Sequence, residues 1–295
     1  MPYVVPYVPV RKTSVYLPEH LKRALAMRAA ATGRSEAEVV RAAIEAEVRG
    51  GAPAPPADPP LPGRLVGVGV GPGDPDLLTV RAVAALRRAD RVVAPATAVD
   101  AVGRAELIVR QAVPGVAIER LPFAMAPSRA ERDRSVAGAA RRVAELLDGG
   151  EVAFVTLGDP LTYSTFSSVA AAVRELRPTA TVEQVPGIMA FQALAARTGT
   201  VVTDEAERLV VRTALDGEDV GADLDDPRAT VVLYKGGRRL PDLAAAAAAA
   251  GRIDGAVAGE LLGMPGERVG SLGDLAAAGP ASYLATVIVP AGARS

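Results

Sequence analysis

The stretch LVGVGVGPGDPDLLTVRAVAALRRA, residues 65–89, decides the fold of the larger part of this chain. Its apolar start, residues 65–68, predicts a buried β-strand, and the glycines and prolines of GVGPGDP at 69–75 end that strand. Asp74 is a good N-cap and Pro75 fits the first helical position, so the apolar residues that follow at helical spacing predict a helix directly after the loop. A glycine loop between a strand and a helix lets a ligand approach the backbone, and we interpret this one as a binding loop.

Two common nucleotide-binding motifs do not fit this loop. Gly67 and Gly69 have the spacing of a dinucleotide fingerprint, but its third glycine would fall on Pro72. A P-loop is excluded as well, since no Gly-Lys-Ser or Gly-Lys-Thr follows. The loop nevertheless contains more glycines than a simple strand-to-helix turn requires, which indicates a ligand loop of another kind.

The composition excludes several classes of site. The 295 residues include no cysteine, so disulfides, thiolate metal sites and a cysteine nucleophile are excluded. The single histidine, His20, lies near the N-terminus, which leaves the rest of the chain without an imidazole base or ligand, and we expect no protein-bound metal. The net charge of −1 gives no whole-protein argument for nucleic acid. No apolar run is as long as a membrane helix and no signal peptide is recognised, so we expect a cytoplasmic protein that does not enter a membrane.

Residues 1–49 have the pattern of a small unit with one strand and two helices. Residues 11–17 alternate in polarity, Pro18 precedes the first helix, and Gly33 is placed to end it. The sequence SEAE at 35–38 is a capping box for the second helix. Because so short a segment cannot bury a core alone, we expect it to form a homodimer.

This segment resembles the ribbon-helix-helix family of DNA-binding proteins over about residues 10–49. In that family two strands pair into a ribbon that enters the major groove. The resemblance therefore implies DNA contact through Lys12, Ser14 and Tyr16. A dimerisation unit without DNA contact is the alternative. The stretch GGAPAPPADPPLPG at 50–63 is a proline-rich linker that separates this unit from the rest of the chain.

From residue 64 onward, strands alternate with helices, which predicts an α/β domain. Its first lobe, residues 64–199, carries glycine-containing loops after strands predicted at 65–68, 152–157 and 181–185. Ligands of open α/β sheets bind beyond the carboxyl ends of the strands. The loops at these strand ends therefore predict one shared site.

A second α/β lobe is predicted over residues 200–295. Its strands are expected at 208–212, 230–234 and 283–289. The alanine-rich residues 243–250 predict a helix to which we assign no function. Further elements predicted in the first lobe are a strand at 91–94 and a helix at 129–148. A helix is also expected to start at Pro160 behind the cap Asp159, and another follows Pro186 and Gly187 and extends to about Arg197.

The loops also carry a family resemblance. The segment GVGPGDPDLLT at 69–79 is similar to the opening signature of the tetrapyrrole (corrin/porphyrin) methyltransferases. Further segments follow in that family's order at 158–160, 185–188 and 232–235. Within the family, GDPLTYSTF at 158–166 and GMPGER at 263–268 resemble the precorrin-2 C20-methyltransferase branch. The resemblance covers about residues 64–290.

This resemblance implies methyl transfer from S-adenosylmethionine to C20 of precorrin-2, or of its cobalt form, in cobalamin synthesis. It also implies a two-lobed fold with the ligand site between the lobes, and a homodimer. The residues that match or border the family's cofactor contacts are Pro72, Gly73, Gly158, Asp159, Thr162, Tyr163, Met189, Ala190 and Tyr234. Met189 and Ala190 stand where the family often has serine or threonine. Side-chain hydrogen bonds to the cofactor are therefore lost at these positions, and only backbone contacts remain.

The implied reaction needs no metal from the protein, because the substrate carbon is itself nucleophilic and the enzyme mainly aligns the reacting atoms. For the proton that leaves C20, the residues that we select as base or orienting group are Asp74, Asp159 and Tyr163. N-capping alone is the alternative role of both aspartates. The tetrapyrrole carries many carboxylates, so we expect arginines at the mouth of the site. The candidates are Arg81, Arg129, Arg132, Arg134 and Arg238.

A methyltransferase that acts on another ring position is one alternative, and a ligand-responsive DNA-binding regulator is another. In that interpretation the methyltransferase-like domain senses a corrinoid or S-adenosylmethionine, and the N-terminal unit binds DNA in response. The N-terminal extension and the pair Met189 and Ala190 favour the sensor, whereas the intact glycine loops favour the enzyme.

Overall fold

The computed structural model describes residues 15–48, 62–98, 100–123, 128–205 and 207–292. The chain divides after Leu61 into two units, which we describe separately. This division falls inside the proline-rich stretch at 50–63, most of which lies outside the described residues.

The N-terminal unit contains the two helices that the sequence predicts. Glu19–Thr32 forms helix α1, which ends at Gly33, whose φ of 66° is the left-handed conformation that glycine adopts without strain. Glu36–Val48 forms helix α2. Ser35 and Glu38 make the predicted capping box, because the Ser35 N–H donates to Glu38 Oε2 at 2.8 Å and the Glu38 N–H donates to Ser35 Oγ at 3.3 Å.

The strand predicted for this unit is not formed in its described part. Residues 15–18 have no regular structure, since a lone ribbon strand has no partner strand within a single chain. Two of the predicted DNA-binding residues, Lys12 and Ser14, lie outside the described residues, and the third, Tyr16, is 96% exposed. Leu21 of the predicted apolar face is about half exposed, as expected for a unit too small to bury a core.

The larger unit begins with a parallel sheet, in which the described residues form five strands. In chain order the strands are Arg64–Gly69 (β1), Arg91–Ala96 (β2), Ile118–Pro122 (β3), Glu151–Thr156 (β4) and Thr181–Val185 (β5). Their order across the sheet is β3-β2-β4-β1-β5. Gly69 pairs with Thr156, and Val68 pairs with Val185, so the carboxyl ends of β1, β4 and β5 lie level at one edge of the sheet.

Helices connect these strands and cover both faces of the sheet. They are Val80–Arg88 (α3), Arg104–Ala112 (α4), Arg129–Leu146 (α5) and Phe166–Leu176 (α6). Ala190–Thr198 (α7) follows β5 and packs on the second lobe, where Leu194 clusters with Val232 and Ile288. Helices α3 and α4 pack with Val66 and Val68 in one apolar cluster, and α5 and α6 pack with Leu65 and Phe154 in another. Because both faces are buried, the strands are continuous apolar runs, which is why the sequence predicted β1 and β4 so readily.

The second lobe contains a mixed sheet. Its strands are Arg208–Thr213 (β6), Ala229–Tyr234 (β7), Val257–Glu260 (β8), Arg268–Ser271 (β9) and Thr286–Val289 (β10). Their order is β6-β7-β10-β8-β9, with β6 and β7 parallel and the other neighbours antiparallel. Its helices are Gly221–Leu224 (α8), Leu240–Ala249 (α9) and Leu272–Ala277 (α10). Helix α9 confirms the helix predicted from the alanine-rich segment.

The helix after the first glycine loop starts later than the sequence predicted. Asp74 caps only a short 3₁₀ turn, Pro75–Leu77, by accepting the N–H of the second residue of that turn. Helix α3 then starts at Val80 behind a second cap, Thr79, whose Oγ1 accepts the Ala82 N–H at 3.1 Å. A second cap was available in the sequence, and the helix uses it because a hydroxyl at this position satisfies a free N–H of the first turn.

Two further boundaries differ from the prediction. No helix starts at Pro160, and α6 begins only at Phe166, because Asp159 accepts hydrogen bonds from loop N–H groups instead of capping a helix. The last strand begins at Thr286 rather than at Tyr283. The elements that the sequence analysis did not predict are α4, β3, α8, β8, β9 and α10.

Candidate functional site

Three glycine loops meet at the carboxyl ends of β1, β4 and β5. The Gly158 N–H donates to the Gly71 carbonyl oxygen at 2.7 Å. A Cβ atom on Gly69 would lie 2.5 Å from the Gly158 carbonyl oxygen, and one on Gly187 would collide with the same oxygen. The backbones of the three loops are therefore in direct contact, which only glycine permits at these positions. The three loops are thus confirmed to lie together as the sequence predicted, and ligand binding there stays a prediction.

Asp159 ties two of these loops together. Its Oδ1 accepts the Leu161 N–H at 2.9 Å, which closes a turn inside its own loop. Its Oδ2 accepts the Gly187 N–H at 3.2 Å, which belongs to the loop after β5. Both carboxylate oxygens are thus engaged by main-chain donors, and the residue fixes the relative position of the two loops.

The first loop contacts the second lobe. A Cβ atom on Gly73 would collide with the Leu262 carbonyl oxygen, and one on Gly263 would collide with the Asp74 backbone. Asp74 Oδ2 lies 3.9 Å from a guanidinium nitrogen of Arg197, at the end of α7. The first Gly-Asp-Pro therefore lies at the boundary between the lobes.

Arg197 extends this boundary through an acid that sequence reasoning did not single out. Its Nε lies 3.0 Å from Glu267 Oε1, and Glu267 Oε2 accepts the Gly263 N–H at 2.7 Å. The segment GMPGER at 263–268 was recognised only as a motif, and nothing in its spacing indicated an arginine partner seventy residues earlier in the chain. The contact depends on tertiary structure.

Tyr163 makes two hydrogen bonds to the second lobe, one to Val211 and one to Lys235. The Tyr163 hydroxyl donates to the Val211 carbonyl oxygen on β6 at 2.9 Å. Lys235 Nζ, at the end of β7, donates to the Tyr163 carbonyl oxygen at 3.2 Å. Both residues have positive φ, 49° for Tyr163 and 63° for Lys235, a conformation that costs free energy for a residue with a side chain. The folded chain holds both residues in this conformation at one place in the site.

Tyr234 connects this pair to the start of α7. Its ring lies 6.1 Å from the Tyr163 ring in an edge-on arrangement, and its hydroxyl oxygen accepts the Phe191 N–H at 3.2 Å. Burial raises the pKa of Tyr234 to about 12, and burial lowers the pKa of Lys235 from its ordinary value. The structure thus brings the predicted residues Tyr163 and Tyr234 together with the helix start that contains Met189 and Ala190. Lys235 was quoted in a motif but given no role.

The remaining predicted cofactor residues lie in the same loops. Pro72 and Gly73 belong to the first loop, and Gly158 and Thr162 to the second, where Thr162 is partly buried. Their contact with a cofactor stays a prediction. So do the catalytic roles of Asp74, Asp159 and Tyr163, because the hydrogen bonds described above establish only that these residues order the loops.

The predicted arginines are dispersed. Arg132 and Arg238 both act electrostatically on Tyr283, whereas Arg129 lies 3.8 Å from Asp133 on its own helix. Arg134 lines a groove of about 660 Å³ between β3 and α5, and Arg81 is exposed on α3. Only Arg132 and Arg238 are therefore brought near one another around a common residue.

Neither a metal-binding cluster nor a membrane-spanning helix is found among the described residues. In the part of the chain that the structure describes, no group of three or more His, Asp or Glu side chains is arranged to hold a metal ion. Among the same residues, no helix combines the length and the apolar character needed to cross a membrane. The described site consists of main-chain groups, two tyrosine rings and one partly buried amine.

Such an arrangement is suited to binding a ligand and orienting it. Close backbone approach at the three loops, aromatic rings and ordered carboxylates can position a nucleoside-like ligand, but they supply no strong nucleophile. Bond formation between two bound small molecules is the chemistry that this arrangement can support.

Comparison with known proteins gives one consistent family. The profile of the family described as Tetrapyrrole (Corrin/Porphyrin) Methylases matches residues 64–276. A protein of Sinorhizobium sp named precorrin-2 C(20)-methyltransferase is 32% identical over 239 residues, with 77% of this chain and 95% of that protein covered. A cobalt-precorrin-2 C(20)-methyltransferase of Salmonella typhimurium is 30% identical over 232 residues, with 77% of this chain and 96% of that protein covered.

A solved structure agrees on the fold. The uroporphyrin-III C-methyl transferase of Thermus thermophilus, complexed with S-adenyl homocysteine, superposes with a TM-score of 0.53 at 22% identity, covering 77% of this chain and 97% of that chain. Identity at this level establishes a common fold and nothing finer. Taken with the profile match and the two relatives, it leads to one conclusion: this chain belongs to the tetrapyrrole (corrin/porphyrin) methylase family.

Proposed function

We propose that this protein transfers a methyl group from S-adenosylmethionine to C20 of precorrin-2, or of its cobalt-bearing form, in cobalamin biosynthesis. The observation that carries the proposal is the match to two C20-methyltransferases along 95% and 96% of their lengths. The motifs that resemble this branch, at 158–166 and 263–268, both take part in the loop contacts described above.

The residues of the cleft fit the methyl donor. No atom would lie within 4 Å of a Cβ atom on Gly158, so a nucleoside can approach the main chain there, whereas Gly69 and Gly187 lie against the neighbouring loop backbone. The residues that would hold the donor are Pro72, Gly73, Gly158, Asp159, Thr162, Tyr163, Met189, Ala190 and Tyr234. When bound, the donor supplies an electrophilic methyl group on a sulfonium, which needs no metal from the protein.

The loss of hydroxyl groups at Met189 and Ala190 is compatible with this role. The Met189 N–H donates to Gln192 Oε1 at 2.9 Å, and the Phe191 N–H donates to Tyr234 at 3.2 Å. These bonds fix the backbone at the start of α7 without a serine or threonine side chain. Main-chain contacts are then sufficient at this position.

The contribution of the protein to the reaction is alignment and proton removal. Asp159 joins two of the loops, and the hydrogen bond from Lys235 to Tyr163 joins the lobes. A site ordered in this way can keep the reacting atoms about 3–3.5 Å apart. After transfer the proton of C20 must leave. Asp74, Asp159 and Tyr163 are the candidate bases, and Asp74 has the oxygen least engaged by main-chain donors, Oδ2.

Methyl transfer can be tested directly. Purified protein is incubated with S-adenosylmethionine and, in separate reactions, precorrin-2 and its cobalt form, and the mass of the tetrapyrrole is followed. A gain of one methyl group supports the proposal and identifies the accepted form. Binding of both ligands with no gain in mass would contradict it.

A second function is favoured by one observation in the N-terminal unit. Tyr16 is 96% exposed beside a helix pair whose apolar face is incompletely covered, as expected for a ribbon-helix-helix unit that awaits a second copy. A cytoplasmic homodimer that binds DNA through Lys12, Ser14 and Tyr16, and whose affinity changes with the bound corrinoid or S-adenosylmethionine, is the corresponding proposal. Light scattering and selection of bound sequences from random DNA test it. A monomer without DNA affinity would overturn it.

A further inference from the structure

Two segments of the second lobe are locked together by main-chain contact. A Cβ atom on Gly237 would collide with the Ser282 carbonyl oxygen, and the Ala281 N–H donates to the Gly237 carbonyl oxygen at 2.7 Å. The neighbours of these residues, Arg238 and Tyr283, are consequently held beside one another. Arg238 lies just beyond the end of β7, and Tyr283 lies just before the start of β10.

An arginine of the first lobe reaches the same place. Arg104 Nη2 lies 3.5 Å from Ser282 Oγ. Arg104 is the first residue of α4, and a Cβ atom on the preceding Gly103 would lie 2.5 Å from the Pro95 carbonyl oxygen, so this helix start is fixed on the end of β2. The carboxyl ends of the parallel strands all face one edge, so Arg104 lies on the edge of the sheet that carries the glycine loops.

The charge around these residues is strongly positive. Within the described ranges, neither Arg104 nor Arg238 takes part in an ion pair. Glu260, which lies at Ser282, is already engaged, because its carboxylate accepts the Ser282 N–H and pairs with Arg268. Arg132 and Arg238 both lie close enough to Tyr283 to act on it electrostatically.

Tyr283 is suited to donate a hydrogen bond here. Burial raises the pKa of Tyr283, and the positive charges of Arg238 and Arg132 only partly oppose that shift. The hydroxyl therefore stays protonated at neutral pH. Two guanidinium groups and a phenol that adjoin the 282–283 segment can recognise a carboxylate, since a guanidinium offers paired N–H donors that match the two carboxylate oxygens.

We propose that Arg104, Arg238 and Tyr283 form a clamp for one carboxylate side chain of the tetrapyrrole and so set the orientation of the macrocycle between the lobes. This inference rests on the proposed function, because the carboxylate belongs to the proposed substrate. Both lobes contribute residues to this clamp, which determines substrate specificity. Arg104 was not among the arginines selected from sequence, and Tyr283 was placed in a strand.

Kinetics of Arg238→Gln, Arg104→Gln and Tyr283→Phe test the clamp. Hydrogen bonds to charged groups predict a rise of about tenfold or more in KM for precorrin-2 for each arginine variant, and about fivefold for the tyrosine variant. KM for S-adenosylmethionine stays within twofold of the wild-type value. Arg238→Lys is expected to recover part of the loss, because lysine restores the positive charge but not the paired N–H donors of a guanidinium. An unchanged KM for precorrin-2 in both arginine variants would overturn the clamp.

Arg174→Gln is the matched control. Arg174 is exposed in the last turn of α6, at the end of the helix remote from the loops, so its variant keeps the wild-type KM. A rise in KM for Arg174→Gln equal to that for Arg238→Gln would also overturn the clamp, since it would reflect net charge alone. Circular dichroism at 222 nm verifies that each variant is folded.

A binding measurement separates failure of the clamp from failure of the proposed function. If the wild-type protein does not methylate precorrin-2, the proposed function fails. Fluorescence titration with uroporphyrin III, a porphyrin polycarboxylate, then tests the clamp independently of turnover. Binding weakened about tenfold in Arg238→Gln supports it, and equal binding by wild type and variant overturns it.

Discussion

The chain contains the tripeptide Gly-Asp-Pro twice, at 73–75 and 158–160, each after a strand of the same parallel sheet. The first copy faces the second lobe, where Gly73 lies against the Leu262 carbonyl oxygen. The second copy faces its own lobe, where Asp159 accepts the Gly187 N–H at 3.2 Å. Identical residues thus join two lobes in one case and two binding loops in the other. The neighbours in the folded chain, not the tripeptide, decide its role.

Replacement of Gly187 by alanine has the largest expected effect on the second copy. The new methyl group would collide with the Gly158 carbonyl oxygen, and neither backbone segment can move without breaking the loop junction. We expect a loss of about 3 kcal/mol in the free energy of unfolding and loss of S-adenosylhomocysteine binding. Urea unfolding and isothermal titration calorimetry measure the two quantities.

Gly273→Ala is the control for that substitution. A Cβ atom on Gly273 would meet no atom within 4 Å, and the residue lies inside helix α10. Alanine there is expected to raise the free energy of unfolding by about 0.5–1 kcal/mol. Equal stabilities of the Gly187→Ala and Gly273→Ala variants would contradict the backbone contact between the loops.

Asp159→Asn is expected to have the second largest effect on donor binding. An asparagine has one acceptor oxygen, so one of the two N–H groups now bound by Asp159 would face an amide donor. We expect S-adenosylhomocysteine affinity to fall about tenfold to a hundredfold, as for loss of a hydrogen bond to a charged group. Calorimetric titration measures it, and unchanged affinity would show that the two loops are held without the carboxylate.

Tyr234 provides a test of the same region by pH. Burial raises the pKa of Tyr234 to about 12 in the folded chain from an unfolded value near 10. The folded state therefore binds more protons between pH 10 and 12, so the Tyr234 contribution to stability is complete below pH 10 and is lost as the pH rises toward 12. We expect this loss to be about 2 kcal/mol in the wild type and absent in Tyr234→Phe. Urea unfolding at pH 9 to 11.5 measures the difference, and parallel curves would contradict the burial of this hydroxyl.

Asp74→Asn is expected to have the smallest effect. Asparagine can still accept the Asp76 N–H, and the Arg197 contact that it loses is 3.9 Å long and partly exposed. We expect at most about 0.5 kcal/mol of destabilisation and unchanged S-adenosylhomocysteine affinity. If Asp74→Asn weakened binding as much as Asp159→Asn, the two Gly-Asp-Pro copies would share one role.

Much of the first lobe was predictable because its signals are local. Continuous apolar runs gave β1 and β4, and glycines at their ends gave the position of the site. The helix starts were less accurate, because Asp74 and Asp159 both have the identity of a cap but Asp159 bonds to a loop and Asp74 to a short turn. An aspartate that caps a helix and one that joins two loops cannot be distinguished by residue type, and only the fold shows which role each has.

The second lobe was predicted less completely. Strands β8 and β9 have four residues each and include glycine, so their hydrophobic pattern is weak. Contacts between distant segments, such as Arg197 with Glu267 and Arg104 with Ser282, have no local signal at all. The two lobes could therefore be predicted from the sequence, whereas the residues that join them could not.

The position of the transferred methyl group is the most direct test of the proposed function. Precorrin-2 is incubated with [methyl-¹³C]-S-adenosylmethionine and either the wild type or Asp159→Asn, and the tetrapyrrole product is analysed by ¹³C NMR. We expect one labelled methyl group at C20 with the wild type and much slower labelling with the variant at low donor concentration. A label at any other ring carbon, or no label with a wild-type protein that binds both ligands, would contradict the proposed C20 methyltransferase.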